Sequence, residues 1–277
     1  MTTPRYSPAI ADLAAEIRAT APWYHTFEFP GGLVTDGYFD LRPVVAKLPL
    51  PASLQGLRCL DAAACEGFWS FELARRGAAE VVSLDLPATD QQDWQGLVPE
   101  AARRVGSGLA NRHFEIARSA YGAANVRRVD LNVYDVDPER LGTFDFVFVG
   151  NVLIHLADPA RALRALRSVV PGGELLSLEA TSLPLTVMAP RVPLAQLWDL
   201  DDQPRWWTPN MAAHRRWLHA AGFEVLAQGG PLRQPLGSAL PRWPERPPRR
   251  WRELVFWAWV RRMGATSSWV RARPLGP

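Results

Sequence analysis

From Leu57 to Leu178 apolar strand-like runs alternate with amphipathic helix-like runs, and no other feature of this 277-residue chain restricts its fold as strongly. The expected strands are Leu57–Ala62, Glu80–Leu84, Val126–Val133, Phe144–Val149 and Glu174–Leu178. Between them the spacing predicts helices at Trp69–Arg76, about Pro99–Tyr121 and Pro159–Val169. The last has proline at its start and Pro171-Gly172-Gly173 beyond its end. Strand and helix alternating over ~120 residues imply a parallel sheet covered on both faces, the doubly wound α/β arrangement. Ahead of it, Ile10, Leu13, Ala14 and Ile17 set a helix within Pro8–Thr20, and the aromatic, glycine-bearing stretch Trp23–Phe39 reads as loops or a hairpin. Residues 1–50 are therefore expected as an N-terminal cap, and residues 51–277 as the main domain. A Pro- and Trp-rich excursion at 183–209 precedes a helix Met211–Ala221 and a strand Phe223–Gln228. A second excursion at 229–265 contains an expected helix Arg249–Met263, and Ser267–Arg273 reads as a last edge strand. Both excursions are expected over one end of the sheet, where such folds build their sites.

Composition removes several classes. At 48% hydrophobic and 21% charged the chain is globular rather than disordered. The net charge of +3 is spread out. Of 31 Lys plus Arg only Lys47 is lysine, leaving 30 arginines, a skew that points to genome composition rather than to polyanion binding. Nucleic acid is accordingly not the expected partner, although Arg242, Arg246, Arg249, Arg250 and Arg252 form one dense patch broken by prolines and acids. Cys59 and Cys65, six apart, suit neither a metal pair nor a disulfide framework, so no metal is expected and reduced thiols in a cytoplasm are. Asp12 and Glu16 interrupt the apolar stretch a signal peptide needs, and the run Leu254–Val260 is far short of the ~20 residues that cross a bilayer. Oligomeric state leaves no mark in the sequence.

The chemistry concentrates at Cys59-Leu60-Asp61-Ala62-Ala63-Ala64-Cys65-Glu66-Gly67-Phe68-Trp69-Ser70. An acid at a strand's C-terminal end, small residues at alternate positions and an immediate helix make a crevice that backbone can share closely with a ligand. The next strand ends in Asp85, 24 residues after Asp61, where a carboxylate can accept both hydroxyls of a ribose. A dinucleotide site would open here with G-x-G-x-x-G to seat a pyrophosphate, whereas Asp61 and Glu66 place negative charge at that position. The pattern suits a nucleoside cofactor carrying a cation, and a nicotinamide oxidoreductase is disfavoured.

At these residues the chain resembles the class I S-adenosylmethionine-dependent methyltransferases, whose first motif is D-x-G-x-G-x-G ahead of a helix. Further motifs resemble the subgroup of tRNA wobble-uridine methyltransferases and carboxymethyltransferases: Trp23-Tyr24-His25-Thr26, Gly67-Phe68-Trp69-Ser70-Phe71-Glu72, Arg75-Arg76-Gly77-Ala78, Val147 through Gly150 to Leu153, His155-Leu156 with Asp158-Pro159, and Trp206-Trp207 with Pro209-Asn210. The similarity spans about residues 23 to 228. It departs in the loop, where Ala63 and Cys65 stand at the first two glycines and only Gly67 is kept. The resemblance implies a seven-stranded Rossmann-like sheet and S-adenosylmethionine as cofactor. Asp61, Ala63, Cys65 and Gly67 would then lie along its amino acid end, Asp85 and Leu86 at the ribose, Asn132 and Val133 at the adenine, and Gly150 and Asn151 beneath the methionine moiety.

For an acceptor that must lose a proton, His155 after the fourth strand is the first candidate base and His25 the second. His113, His214 and His219 read as helix-surface residues. Trp23, Tyr24, Trp206, Trp207 and Asn210 are expected to line a lid over the substrate, with packing of the excursion as the equal alternative. The function this implies is methyl transfer to a small-molecule acceptor, a product of natural product biosynthesis. A tRNA wobble-uridine enzyme and a non-catalytic binding protein of the same fold stand as alternatives. The helix Arg249–Met263 could rest on a membrane surface, though packing on the main domain is the favoured expectation.

Overall fold

The computed structural model describes residues 8–95, 108–198, 205–239, 251, 254–255, 258 and 264–276. Its centre is a seven-stranded sheet in the order β12-β13-β9-β8-β5-β6-β7. The strands are β5 (Arg58–Ala62), β6 (Glu80–Asp85), β7 (Val126–Asp130), β8 (Phe146–Gly150), β9 (Glu174–Ala180), β12 (Phe223–Gln234) and β13 (Ala265–Pro274). From β7 through β9 all neighbours are parallel, with Leu60 opposite Val82 and Val147. Leu60, Val82, Val147, Phe148 and Leu176 are all buried, so these strands read as continuous apolar runs.

Helices cover both faces. On one side α3 (Phe68–Arg75) and α4 (Gly108–Tyr121) pack Phe71, Leu73, Phe114 and Ala117 against Cys59 and Val81. On the other, α6 (Pro159–Ser168) turns Ala162, Leu163 and Leu166 onto Val147, Val149 and Leu175. The start of α6 follows from its sequence: Asp158 accepts the Arg161 amide at 2.8 Å, and Pro159 occupies the first turn, where no amide is needed. Each such buried leucine contributes on the order of 1.5–3 kcal/mol relative to exposure. The next helix on this face is α8 (Met211–Ala220), which buries Leu218 there. Between α6 and α8 comes the short α7 (Leu183–Met188).

Three expectations change. Ser267–Arg273 is not an edge: β13 runs antiparallel between β9 and β12, pairing Trp269 with Leu178 on one side and Gly229 on the other. Residues Gly229–Gln234 continue β12 rather than begin the second excursion. The third parallel strand ends at Asp130, because Asn132 caps a 3-10 turn over Val133–Asp135. Of the helix expected at Arg249–Met263, only Trp251, Leu254, Val255 and Ala258 are described, all helical, and all four exposed; the rest, like the start of the helix expected from Pro99, lies outside the described residues.

The N-terminal segment, α1 (Pro8–Ala19), β1 (Trp23–His25), β2 (Glu28–Phe29), β3 (Leu33–Val34) and β4 (Gly37–Phe39), shares the core of α3 and α4. Trp23 is fully buried there, against Phe27, Phe29 and His113. The segment also joins the sheet's far side: the Asp40 amide donates to Pro235 at 3.0 Å and Gly237 to Tyr38 at 2.8 Å.

Candidate active site

The chain order reverses at β5, whose neighbours β6 and β8 lead to opposite sheet edges, so a crevice opens at the C-terminal ends of these strands. Its wall is the loop after β5. Ala63, Cys65 and Gly67 adopt φ of 61°, 52° and 83°, the left-handed region, and this keeps the tight turn of a glycine loop although two side chains are present. The turn is closed by the Ala64 amide on Leu84 O at 2.9 Å and the Gly67 amide on Ala64 O at 2.7 Å. Gly67 is glycine for packing reasons as well, since a Cβ there would meet the Phe114 ring at 2.8 Å.

Two acids flank the loop. Asp61, buried at the end of β5, accepts the Ser70 hydroxyl at 2.6 Å, and burial pushes its carboxyl up to about 7. Asp85 ends β6 and accepts the Cys65 amide with one oxygen and the Leu86 amide at 2.7 Å with the other. Each oxygen retains a lone pair, so the carboxylate can still accept from a diol. Burial raises the Asp85 carboxyl, and the nearby Arg128 guanidinium opposes that shift. Arg128 also donates to Cys65 O at 2.7 Å, bracing the loop from β7. Burial holds the Cys65 thiol well above its ordinary value, so it presents a neutral sulfur rather than a nucleophile.

Glu66 faces the other way. Its carboxylate accepts the Tyr24 and His25 amides at 2.7 and 2.9 Å and meets His113 Nδ1 at 2.6 Å. His113 Nε2 in turn reaches Thr20 O at 2.8 Å. This buried cluster fixes the cap against the cofactor loop. It also sets Tyr24 beside the loop, 42% exposed.

Opposite, β8 ends in Gly150, and Asn151 follows at φ 53°, exchanging side-chain hydrogen bonds with Gln234. His155 closes a 3-10 turn over Leu153–His155 and is half-buried. That turn is held by Glu179 on β9, whose carboxylate accepts the Leu153 amide at 2.7 Å and its neighbour Ala180 at 3.0 Å. Burial raises Glu179 to about 8. Above the turn lies a hairpin of β10 (Ala195–Leu197) and β11 (Trp207–Pro209). The Trp206 amide donates to Ile154 O, its indole to Asp93 O, and the Trp207 indole to Leu156 O, all within 2.9 Å. The hairpin is thereby pinned to the turn after β8, with Arg205 just ahead of β11. A surface groove of about 400 Å³ lies elsewhere, along α8 and β12, and contains none of these groups.

Among the expected site residues, the structure gathers Asp61, Ala63, Cys65, Gly67, Asp85, Leu86, Gly150, Asn151, Tyr24 and His155 around the strand ends. Trp206 and Trp207 are tied to the turn after β8, at Ile154 and Leu156. Other residues prove structural. Trp23 lines no lid because it is sealed in the core. Asn210 is fully buried and caps α8, accepting from Ala213 and Leu194 while donating to Ala189 and Val192. The Asn132 carbonyl expected at the adenine accepts the Tyr134 amide at 3.0 Å, the turn-forming use of this residue. Beside it Val133 is buried in the core of the opposite face. His25 is buried, its Nδ1 is without a hydrogen bond, and burial pulls its imidazole down to about 4. His113 and His214 are buried rather than on helix surfaces; His214 bridges the Ser177 and Ser268 hydroxyls, and only His219 is exposed. Ser70, Glu179 and Arg205 were not legible as site residues, because their roles depend on which strand ends and loops adjoin.

The fold is of the Rossmann-like class, with a crevice where its strand order reverses. Residues 37–228 match a family described as a methyltransferase domain. The chain belongs to that family. It is similar to tRNA U34 carboxymethyltransferases of Pseudomonas aeruginosa (strain LESB58) and Azotobacter vinelandii, each 31% identical over 61% of this chain and 46% of the relative. The chain thus spans about half the length of the curated relatives it matches. Among solved structures it resembles the N-terminal domain of EvdMO1 in the presence of SAH and D-fucose, with a TM-score of 0.59 at 17% identity over 98% of this chain and all of that one. Among the described residues no helix is long and apolar enough to cross a membrane, and no cluster of potential metal ligands occurs.

Proposed function

We propose that the chain transfers a methyl group to a small-molecule acceptor, a hydrophobic or planar specialised metabolite. The carrying observation is the pinned hairpin: Trp206 and Trp207 are tied to Ile154, Asp93 and Leu156 beside the turn after β8, which supports aromatic side chains near the strand ends as the surface for a compact apolar ligand. The described arginines add support, since Arg42, Arg58, Arg76, Arg118, Arg127, Arg128, Arg271 and Arg273 are committed to carboxylates rather than arrayed for a phosphate backbone.

The residues fit the cofactor. Asp85 has lone pairs left for the ribose hydroxyls, the left-handed turn at Ala63 and Cys65 lets backbone approach, and Gly150 with Asn151 forms the floor. The cofactor supplies an electrophilic methyl on a sulfonium. The protein's part is to align the acceptor, exclude water and take the proton. His155 is the proton acceptor in this reading: it is half-buried on the turn that Glu179 fixes, whereas His25 is buried.

Calorimetric titration with S-adenosylhomocysteine tests this, followed by turnover of an acceptor library read by mass spectrometry. Asp85→Ala should weaken binding by at least about tenfold. His155→Ala should leave binding intact and lower turnover by about 10²–10⁴. Unchanged turnover removes His155 from the mechanism, and binding without turnover of any acceptor supports a non-catalytic protein. A second reading, tRNA wobble-uridine modification, draws on the names of the relatives. Methyl incorporation into unmodified tRNA in preference to the library would establish it.

A further inference from the structure

Four chain segments, three of them following different strands of the central sheet, meet at Asp93. The residue lies in the segment that leaves β6 at Asp85 and passes through a 3-10 turn over Thr89–Gln91. Its Oδ2 accepts the Tyr134 hydroxyl at 2.6 Å, from the segment after β7, and the Ala157 amide at 2.8 Å, from the segment after β8. The Tyr134 hydroxyl in turn accepts the Asp158 amide at 3.1 Å, and the Asn132 side chain sets the turn on which Tyr134 sits. The Asp93 carbonyl accepts the Trp206 indole of the β10–β11 hairpin at 2.8 Å, and the Gln95 side-chain amide donates to the Arg205 and Trp198 carbonyls beside the same two strands. The turn that carries His155 is thus held at both ends by carboxylates: Glu179 takes the Leu153 amide at 2.7 Å and Asp93 the Ala157 amide.

The segment therefore has a ligand-binding start and a clasp at its end. Asp85 is the acid assigned above to the ribose hydroxyls, and Asp93 fastens the His155 turn and the hairpin of Trp206 and Trp207. Ordering backbone costs about 1–2 kcal/mol per residue, so a ligand that fixes the start of a short segment lowers what is left to lose when the other end docks. We propose that Asp93 is a positioning residue that couples the two halves of the site: cofactor held at Asp85 orders residues 86–93, Asp93 then fixes the His155 turn and the hairpin, and the cofactor accordingly binds before the acceptor. Its role is exerted through the Ala157 amide, the Tyr134 hydroxyl and the Trp206 indole. This rests on the methyl-transfer reading above and adds to it an order of binding.

Hydrogen exchange read by mass spectrometry, on the full chain with and without saturating S-adenosylhomocysteine, tests this without an acceptor. In the wild type the ligand should slow exchange severalfold in the peptides that contain Asp85, Ala157 and Trp206, whose amides at 157 and 206 bond to Asp93 and to Ile154 O. Asp93→Ala should still bind S-adenosylhomocysteine by calorimetry and keep the slowing at Asp85, but lose it at Ala157 and Trp206. Asp93→Asn, whose carbonyl oxygen can accept the same two donors, should restore it, and Tyr134→Phe should lose part of it. A clasp that is only structural would raise exchange in Asp93→Ala with and without ligand alike and leave the ligand-induced difference as it was. No slowing at Ala157 and Trp206 in the wild type, or the same slowing in the wild type and Asp93→Ala, overturns the proposal. Should Asp93→Ala fail to fold, equal slowing in the wild type and Tyr134→Phe overturns it. Failure of S-adenosylhomocysteine to bind the wild type, seen as absence of heat, strikes the methyl-transfer reading instead and takes the coupling with it.

Discussion

At the scale of single residues, the loop after β5 separates chain geometry from residue type. Ala63 and Cys65 hold left-handed conformations that cost an L-residue on the order of 1–2 kcal/mol, yet the turn is kept by the Ala64 and Gly67 amides and by Asp85 on the Cys65 amide. Cys65→Gly relieves that strain but loosens the unfolded chain, so it should stabilise by no more than about 1 kcal/mol, whereas the β-branched Cys65→Val should destabilise by more than that. Urea unfolding of the two variants measures both. His214 gives a pH signature. Burial pulls its imidazole down to about 3, so the unfolded chain takes up a proton that the folded chain refuses. The stability it contributes is complete above about 6.5 and is lost as pH falls below that toward 3, with a slope of at most about 1.4 kcal/mol per unit. His214→Gln, which can still bond Ser177 and Ser268, should flatten this part of a Tm-against-pH curve; an unchanged slope would show that other groups carry it. The sequence named Asp61 and Asp85 through their positions at strand ends. It could not show that the Asn132 carbonyl caps a turn, because the same residue type serves both uses.

At the scale of elements, periodicity located the five parallel strands to within a few residues, since strands buried on both faces are apolar throughout. Helix starts were equally plain where Asp158 precedes Pro159. The place of the last strand was not. Ser267–Arg273 alternates like an exposed edge, but β13 is paired along both sides and buries Val270 and Ala272. Strand order is a matter of non-local pairing, which local pattern does not encode. Truncation after Gly264 should therefore abolish cooperative unfolding rather than trim a dispensable edge, since it strips β9 and β12 of their shared partner. Circular dichroism melts of the truncated chain would show this, and a sharp transition near the wild-type Tm would contradict it. At the start of α6, Asp158→Ala should cost about 1 kcal/mol through loss of the cap on the Arg161 amide, measured by chemical denaturation.

At the scale of the whole molecule, the N-terminal segment is joined to the rest by a shared apolar core, by main-chain hydrogen bonds and by one buried carboxylate. Glu66 holds the Tyr24 and His25 amides and the His113 ring together. Its replacement by alanine leaves the Tyr24 and His25 amides and His113 Nδ1 without their shared partner, and Glu66→Ala should destabilise by about 3–5 kcal/mol. The same change should make the chain more susceptible to limited proteolysis near Trp23; unaltered protease resistance would show that apolar packing alone retains the cap. By itself the sequence determined the layered α/β fold, the crevice at the ends of the parallel strands, and the acids beside it. These follow from local periodicity and from the chemistry of strand-end carboxylates. Only the tertiary structure decided that Trp23 is core and which histidines are buried. It alone brought Tyr24, Glu66 and His113, far apart in the chain, into one hydrogen-bonded cluster. Burial and the pairing of charges are set by neighbours distant in sequence, and no local pattern of residues records them.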